Sequence, residues 1–259
     1  MIRRKSQNEI DTMREAGIVV AEVHEMCRQE ARAGVSTWDL DVRAEEIIRS
    51  HGGTPTFKGY HGFPATICAS INEEVVHGIP SRARVLNEGD TFTVDVGVTL
   101  DGLVADAAIM VAIGEVDSAT LRLVEDTREA LFIGLSQARP GNRISDIGAA
   151  IEAFANEKGY GIVRDYGGHG VGHQLHEEPH IPNHGKGGRG PRIKAGYCLC
   201  IEPMLNLGVD EVVTLADKWT VVTADRKPSA HWEHCFAVTE DGPLILSLPR
   251  DAPQPFLSK

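Results

Sequence analysis

The chain has 259 residues, and its 37 acidic side chains against 26 basic ones give a formal net charge of −11. This length suffices for a substantial core, and the acidity argues against a protein built to bind a nucleic-acid backbone. The five cysteines contain no C-x-x-C pattern, which favours a reducing compartment. There is no apolar run long enough to cross a bilayer and no signal-peptide core. We therefore expect a cytoplasmic protein that is not associated with a membrane.

The first half of the chain predicts two helices followed by strands. Ser6 and Glu9 form a capping box, and apolar residues recur at helical spacing up to about Gly34. Gly, Pro and aromatic residues dominate 54–65, which is typical of a loop with a binding surface, and His77 lies in a turn. A second helix is expected at 36–51 and a short strand at 66–71.

A β-hairpin is predicted where the first half ends. Side chains alternate between apolar and polar along 91–98, and the Asp-Gly pair at 101–102 is a two-residue turn signal. With that turn, Asp95 pairs with Ala108, and Asp106 lies on the same face as Asp95. Two adjacent like charges favour a metal ion as neutraliser, although a solvated sheet face is the alternative.

An internal repeat supports the metal interpretation. A shift of 107 positions superimposes 31–52 on 138–159, and the same shift carries Asp95 onto Glu202. A shift that holds across both a helix and a strand indicates two copies of one helix-plus-strand unit. We therefore expect one domain spanning 1–259, with halves at about 6–113 and 118–240 and a short C-terminal tail at 247–259.

The second half repeats the order of the first. Asp106 should have a counterpart on the strand that returns after Glu202, and Glu233 is the only acid in a suitable strand context. We expect helices at 118–138 and 145–158 and a strand at 161–165.

A glycine-rich loop that carries five histidines then leads into the Glu202 strand. Such a run can also be a metal-sequestering or merely soluble segment. Because glycines flank His169 and allow close backbone approach, His169 is the choice for a fifth ligand.

Two aspartates, two glutamates and one imidazole suit hard or borderline divalent ions better than a thiolate-type zinc site does. Four carboxylates around one ion would leave excess negative charge, so two ions that share bridging carboxylates are expected. Such a pair activates water near neutral pH, and the chemistry that follows is hydrolysis.

Five motifs are spread over nearly the whole chain: SINEEVVHGIP, DVG with the later AD, GGHGVGHQLHEEP, IEPM and DKWTVVTADRKPSAHWEH. Through these motifs the chain resembles the type I methionine aminopeptidases. The resemblance implies an α+β "pita-bread" (creatinase/aminopeptidase) fold with two pseudo-symmetric helix-plus-strand halves around a central antiparallel sheet. It also implies removal of the initiator methionine from nascent proteins whose second residue is small.

Carried over by position, the resemblance implies a complete catalytic constellation. Two divalent ions (Co, Mn, Fe or Zn) would be held by Asp95, Asp106, His169, Glu202 and Glu233. Glu202 would also shuttle protons, His77 would contact the scissile nitrogen, and His176 would contact the carbonyl oxygen. The substrate side chain and backbone would be contacted by Tyr60, Phe63, Cys68, His77, Leu175, His176 and Trp219.

Further expectations follow from the same resemblance. Leu175 replaces a common aromatic residue, and Phe57 stands where smaller residues are usual. Asn72 and Ser229 match positions that help to hold a monovalent cation in some members. The partners would be nascent polypeptide N-termini at the ribosome, without direct nucleic-acid binding, and the protein would be a monomer. Because Ile2 is bulky, Met1 should be retained.

Two alternatives remain at the level of sequence. One is a prolidase or proline-specific aminopeptidase with the same five ligands, although such enzymes usually carry a further N-terminal domain. The other is a non-catalytic binding module, although such members typically lose ligands that this chain keeps. The basic, glycine-rich segment 183–194 lacks phosphate-loop spacing and is expected to be a flexible surface loop.

Overall fold

The computed structural model describes residues 2–257, so Met1 and its predicted retention lie outside the described residues, as do positions 258 and 259 of the predicted tail. The four α-helices of this part of the chain are α1 Gln7–Glu30, α2 Thr37–Ser50, α3 Ser118–Gln137 and α4 Ile144–Lys158, and a short 3-10 helix covers Tyr60–Gly62. The predicted capping box at Ser6 and Glu9 is confirmed at the start of α1. The helix ends at Glu30, a few residues before the predicted limit near Gly34.

The strands are short except for one long hairpin. They are β1 Thr54–Pro55, β2 Ile67–Ile71, β3 Glu74–Val76, β4 Thr91–Leu100, β5 Leu103–Ala112, β6 Gly161–Ile162, β7 Gly167–Gly170, β8 Glu177–Pro182, β9 Cys198–Ile201, β10 Met204–Asn206, β11 Val212–Thr214, β12 Val221–Thr223, β13 Ser229–His231, β14 His234–Val238 and β15 Pro243–Ile245. All strand pairs are antiparallel. The predicted register of the hairpin is confirmed, because Asp95 pairs with Ala108 and Gly97 with Asp106.

The two halves meet along one edge of β5. The sheet of the first half joins β1, β4, β2 and β5, and the largest sheet of the second half has the order β15-β14-β9-β7-β8. Ala108 exchanges two backbone hydrogen bonds with Glu233, at N···O distances of 3.4 and 2.9 Å. Val104 N–H also donates to the Gly172 carbonyl at 2.8 Å. Strands from both halves are therefore hydrogen-bonded to each other, and the acidic residues lie where they join.

Helices cover one face of each half. Apolar side chains of α1 and α2 pack on the β4–β5 hairpin in one buried cluster, and those of α3 and α4 pack on β9 and β14 in another. This helix-on-sheet layering buries the apolar stripe of every helix, as the helical spacing of the sequence requires. Among the described residues, no helix is long and apolar enough to span a membrane.

The prediction of an irregular loop for the histidine-rich segment is wrong, because much of the segment forms strands. Residues 167–170 and 177–182 form β7 and β8, and β7 also pairs with β9. A Cβ built on Gly168 would lie 2.2 Å from the Cys200 carbonyl oxygen, so only glycine permits this approach of the two strands. Glycines that suggested a loop thus allow close strand packing. The strand predicted at 161–165 is shorter than expected, because β6 covers only 161–162.

Candidate metal centre and active site

The hairpin delivers two buried carboxylates to one point. Asp95 on β4 and Asp106 on β5 point to the same face of the sheet. Asp106 pairs with Gly97, which lies two residues after Asp95 and therefore on the same face. Asp95 is 9% exposed and Asp106 is 4% exposed. The Oδ1 atom of each has no hydrogen-bond partner. Buried oxygens that lack partners are costly, and a cation is the partner that two adjacent acids require.

The second half adds two glutamates beside them. Glu202 follows β9 directly, and Glu233 directly precedes β14, so the pairing of these strands brings the two residues together. Glu233 is 2% exposed, and its Oε1 has no hydrogen-bond partner. The structure thus brings together the four carboxylates that the internal repeat predicted would converge.

His169 on β7 completes the cluster. Its Nδ1 lies 3.0 Å from the Gly170 carbonyl oxygen, and because a carbonyl only accepts, Nδ1 carries the proton. The bare Nε2 therefore faces the acids, at 3.8 Å from Asp106 Oδ2, 3.6 Å from Glu202 Oε1 and 3.9 Å from Glu233 Oε1. A lone pair aimed at carboxylate oxygens across such gaps is the arrangement of ligands around a cation. The donor set therefore fits divalent metal ions.

The electrostatics of the cluster point the same way. Burial raises the pKa of Asp95 to about 7 and, together with the charge of Asp95, raises the pKa of Glu202 to about 8. Burial and the neighbouring acids also raise the pKa values of Asp106 and Glu233. Burial is the main cause of the drop in the pKa of His169 to about 3. Without a cation, the acids would have to take up protons to remain buried together.

Sequence reasoning missed two residues at this site. Cys200 on β9 lies with Asp106, His169 and Glu233 so that their ligand atoms are within 4.8 Å of one another. His231 on β13 places Nε2 at 3.9 Å from Glu202 Oε2, and neither of its ring nitrogens has a hydrogen-bond partner. Both residues stand two positions before a predicted ligand. Because side chains alternate in strands, that spacing puts them on the ligand's face and could have flagged them.

One cavity of about 230 Å³ opens onto the carboxylates. All of the residues proposed from the sequence as ligands, catalytic groups or substrate contacts line it: Tyr60, Phe63, Cys68, His77, Asp95, Asp106, His169, Leu175, His176, Glu202, Trp219 and Glu233. Phe57, His61, Val76 and His231 line it as well. Its acids form one cluster, and aromatic and aliphatic side chains supply much of the remaining lining, which we call the apolar end. This lining suits a substrate with an apolar side chain next to a reacting amide.

Histidines and aromatic rings form the apolar end. The Tyr60 hydroxyl lies 2.9 Å from His176 Nδ1, and the ring of His176 lies 4.4 Å from that of His169 between centroids. Phe63 and Trp219 meet edge to face at 5.1 Å. Burial lowers the pKa of His77 to about 4, so its imidazole is neutral near pH 7.

The other residues singled out from the sequence do not line this cavity. Asn72 and Ser229 are adjacent, since the Ser229 N–H donates to the Asn72 carbonyl at 3.0 Å. The three histidines without a predicted role, His173, His180 and His184, do not line the cavity. His173 instead lies 2.9 Å from Glu9 Oε1 at the start of α1.

Comparison with known proteins defines the class to which this fold and site belong. Residues 11–240 match the sequence model of metallopeptidase family M24. The chain therefore belongs to metallopeptidase family M24. A methionine aminopeptidase from Clostridium acetobutylicum is 48% identical over 248 residues, which cover 96% of this chain and 99% of that protein.

Solved structures agree with this placement. The methionine aminopeptidase from Thermotoga maritima superimposes with a TM-score of 0.94 at 42% identity and covers 96% of this chain and 100% of that one. A prolidase from Pyrococcus furiosus has a TM-score of 0.76 at 20% identity, covering 94% of this chain and 65% of that one, and so shares the fold. Within the family, this chain groups with the methionine aminopeptidases, and the predicted pita-bread fold is confirmed.

Proposed function

We propose that this protein is a metal-dependent aminopeptidase that removes the initiator methionine from nascent proteins whose second residue is small. The observation that carries the proposal is the single cavity that joins a buried carboxylate–imidazole cluster to an apolar slot. The cluster supplies a site for hydrolysis, and the slot supplies a place for an uncharged side chain. Sequence identity of 48% to a methionine aminopeptidase over nearly the full length supports the same activity.

The proposed metal ligands are Asp95, Asp106, His169, Glu202 and Glu233. Two divalent ions are proposed, because four carboxylates would over-neutralise a single one. A divalent ion bound here would lower the pKa of water and polarise the scissile carbonyl. We expect the divalent ions to be Co, Mn, Fe or Zn. A monovalent cation near Asn72 and Ser229 is a further proposal.

Glu202 is proposed to move the proton. Its side chain lines the cavity and is 14% exposed, against 6% for Asp106 and 3% for Glu233, so it can take a proton from water and deliver it to the departing amine. The Nε2 atom of His231 lies 3.9 Å from the Oε2 atom of this carboxylate.

His176 and His77 are proposed to act on the scissile amide. With the Tyr60 hydroxyl as donor to Nδ1, the proton of the neutral imidazole of His176 is on Nε2. That N–H can then donate to the oxygen on which negative charge develops. His77, neutral near pH 7, is suited to a hydrogen bond with the scissile nitrogen.

The methionine side chain is proposed to lie in the apolar end of the cavity. Tyr60, Phe63, Cys68, Leu175 and Trp219 supply aromatic edges and aliphatic surface there. An unbranched thioether packs well against such edges, and a charged side chain would be desolvated without a partner. The proposed partners are nascent chains at the ribosome, and the protein is proposed to act as a cytoplasmic monomer.

The experiment compares a Met-Ala-Ser peptide with an Ala-Pro-Ala peptide. Chelator-treated protein is assayed on both peptides before and after manganese, cobalt or iron is restored. Metal-dependent release of methionine from the first peptide alone is the expected result. Cleavage of the proline peptide alone would instead support a prolidase, and no cleavage with any metal would support a non-catalytic binding module.

A further inference from the structure

A second cavity, which we call the rear pocket, lies on the opposite face of the sheet from the carboxylates. It has a volume of about 390 Å³, and its polar wall is formed by His24, Arg28, Arg128, Trp232, His234 and Ser247. Trp232 and His234 flank Glu233 in the chain, yet both line this pocket, whereas Glu233 lines the catalytic cavity. Helices α1 and α3 close the pocket from outside, together with the segment after β15.

The rear pocket is positive in a protein whose net charge is −11. Arg28 and Arg128, which are both solvent-exposed, line it, and among the residues that the structure describes no aspartate or glutamate does so. Arg28 has only an exposed neighbour on its own helix, Glu25, at 3.4 Å. Arg128 makes no ion pair or hydrogen bond within 2–257. Its guanidinium is held instead over two aromatic rings, at 5.4 Å from the centre of Phe132 and 5.8 Å from that of Trp232.

Neutral donors accompany these charges. The indole N–H of Trp232 is buried without a partner in the described part of the chain. His234 Nδ1 lies 2.8 Å from the Ser247 hydroxyl, and when that hydroxyl donates, the proton of the ring is on Nε2. A buried donor without a partner is a standing cost that an accepting ligand would remove.

Apolar surface makes up the rest of the wall. Ile109, Phe132 and Leu248 are among the residues that line the pocket. A bare inorganic ion would leave this surface hydrated, whereas a ligand with an aromatic or aliphatic body would cover it. Size, charge and surface together describe an amphipathic anion rather than a free ion.

We propose that the rear pocket is a second binding site, for a small organic anion whose oxyanion is held by Arg28 and Arg128 and whose apolar body lies against Phe132 and Trp232. Carboxylates and phosphate monoesters share this chemistry, and both can accept two charge-assisted hydrogen bonds from guanidinium groups. Because the pocket lies behind the strand segment that carries Glu233, its ligand is separate from the substrate of the cavity in front.

The test uses the metal-loaded, full-length protein and isothermal titration calorimetry. Benzoate and phenyl phosphate are the probes, and benzyl alcohol is the neutral analogue. We expect both anions or one of them to bind at submillimolar to millimolar concentration and the alcohol to bind at least about tenfold more weakly. Comparison of the two anions distinguishes a carboxylate ligand from a phosphate ester.

Variants locate the binding. The double variant Arg28→Gln with Arg128→Gln should bind the anion more weakly, with a Kd raised by about tenfold for each arginine replaced. Arg122→Gln, an exposed position on α3 that does not line the pocket, is the matched control and should leave affinity unchanged. If the double variant does not fold, Arg128→Gln alone decides, since Arg128 makes no hydrogen bond or ion pair with the described residues.

The remaining outcomes overturn the proposal. No anion binding at 10 mM or below, equal affinity in the double variant, or equal binding of the alcohol would each reject it, with ~10 mM as the weakest affinity of interest for so small a ligand. Anion binding that disappears after chelation of the metal, or on addition of free methionine, would assign the ligand to the catalytic cavity and reject the rear pocket.

Discussion

At the scale of single residues, Glu202 is proposed to have two tasks. It belongs to the buried acid cluster, where burial and Asp95 raise its pKa, and it also borders the open cavity. A carboxylate inside an acid cluster can bind cations, and a carboxylate that borders a cavity can exchange protons with water and substrate. An amide keeps the shape of the side chain but loses both its charge and its proton transfer, so bound metal must be measured beside the rate to tell the two tasks apart.

Glu202→Gln should therefore lower kcat for Met-Ala-Ser by about 10²–10⁴-fold, the usual contribution of a positioned acid–base group. The fold should survive, since removing one of several repelling acids relieves the cluster. Steady-state kinetics and metal analysis of the same preparation check this. Glu211→Gln, at an exposed position, is the matched control. A Glu202→Gln variant with more than a tenth of the wild-type rate would contradict the proton-transfer role.

Tyr60 offers a finer test of how His176 is oriented. Its hydroxyl contacts His176 Nδ1 at 2.9 Å, and loss of this bond should free the ring to rotate or to change tautomer. Tyr60→Phe should lower kcat by about fivefold, the value of one ordinary hydrogen bond, with little change in KM. Tyr160→Phe removes a hydroxyl bonded to Asp126 far from the cavity and should leave kcat unchanged. Equal effects of both variants would reject the orienting role.

At the scale of elements, β7 determines where the imidazole ligand lies. Its glycines let the strand approach β9 closely, and His169 is carried between them. The conformation of His169 is thus set by backbone packing on both sides of it. A side chain added at Gly168 would meet the Cys200 carbonyl oxygen at 2.2 Å, a contact that neither backbone can avoid without moving.

Gly168→Ala should therefore displace β7 and weaken metal binding. Overpacking of this kind costs about 1–3 kcal/mol, and about 2–4 °C of Tm accompanies each kcal/mol in a chain of this size. Thermal unfolding and bound-metal content measure the two effects. Gly187→Ala is the matched control, because its Cβ would meet the Asp146 side chain at 3.0 Å and no backbone atom closer than 4.0 Å. Normal metal content in Gly168→Ala would show that β7 does not position the ligand.

At the scale of the whole molecule, we expect the acid cluster to couple metal binding to the joining of the two halves. Asp95 and Asp106 come from the first half, and Glu202 and Glu233 from the second. The halves are also joined by the backbone bonds between Ala108 and Glu233. A metal ion held by residues from both halves should therefore stabilise the native state as a whole, since binding selects the folded form.

Metal removal should accordingly destabilise the protein more at pH 8 than at pH 6. In the metal-free state, burial raises the pKa of Asp95 from 3.8 to about 7 and that of Glu202 from 4.5 to about 8. Between these limits the folded state holds more protons than the unfolded state, so metal-free stability falls as pH rises from about 4 to about 8. Metal ligands must be deprotonated, so stabilisation by metal grows over the same range.

The measurement is Tm with and without metal at both pH values. The difference in Tm between metal-loaded and metal-free protein should increase by several degrees from pH 6 to pH 8, at about 2–4 °C per kcal/mol of added stability. In Glu202→Gln the widening should be smaller, because one of the titrating groups is gone. A difference that is constant or narrows with rising pH would contradict protonation of the cluster.

Local patterns in the sequence determined the elements of this protein and most of its chemistry. Alternation along 91–98 and the Asp-Gly turn were enough to place Asp95 opposite Ala108. The repeat then indicated Glu202, because period-two alternation and a constant shift are properties of local sequence. Capping at Ser6 predicted the start of α1 for the same reason.

Only the tertiary structure decided which distant segments meet. The glycines around His169 suggested a loop, and they form strands because their backbone groups pair with β8 and β9, which local sequence does not encode. Cys200 and His231 became part of the site only when their strands were brought to the hairpin. The rear pocket is lined by residues of α1, α3 and β14, which are far apart in the chain, so no local sequence pattern predicted it. Local propensity acts over a few residues, whereas burial and charge are properties of neighbours that folding brings together.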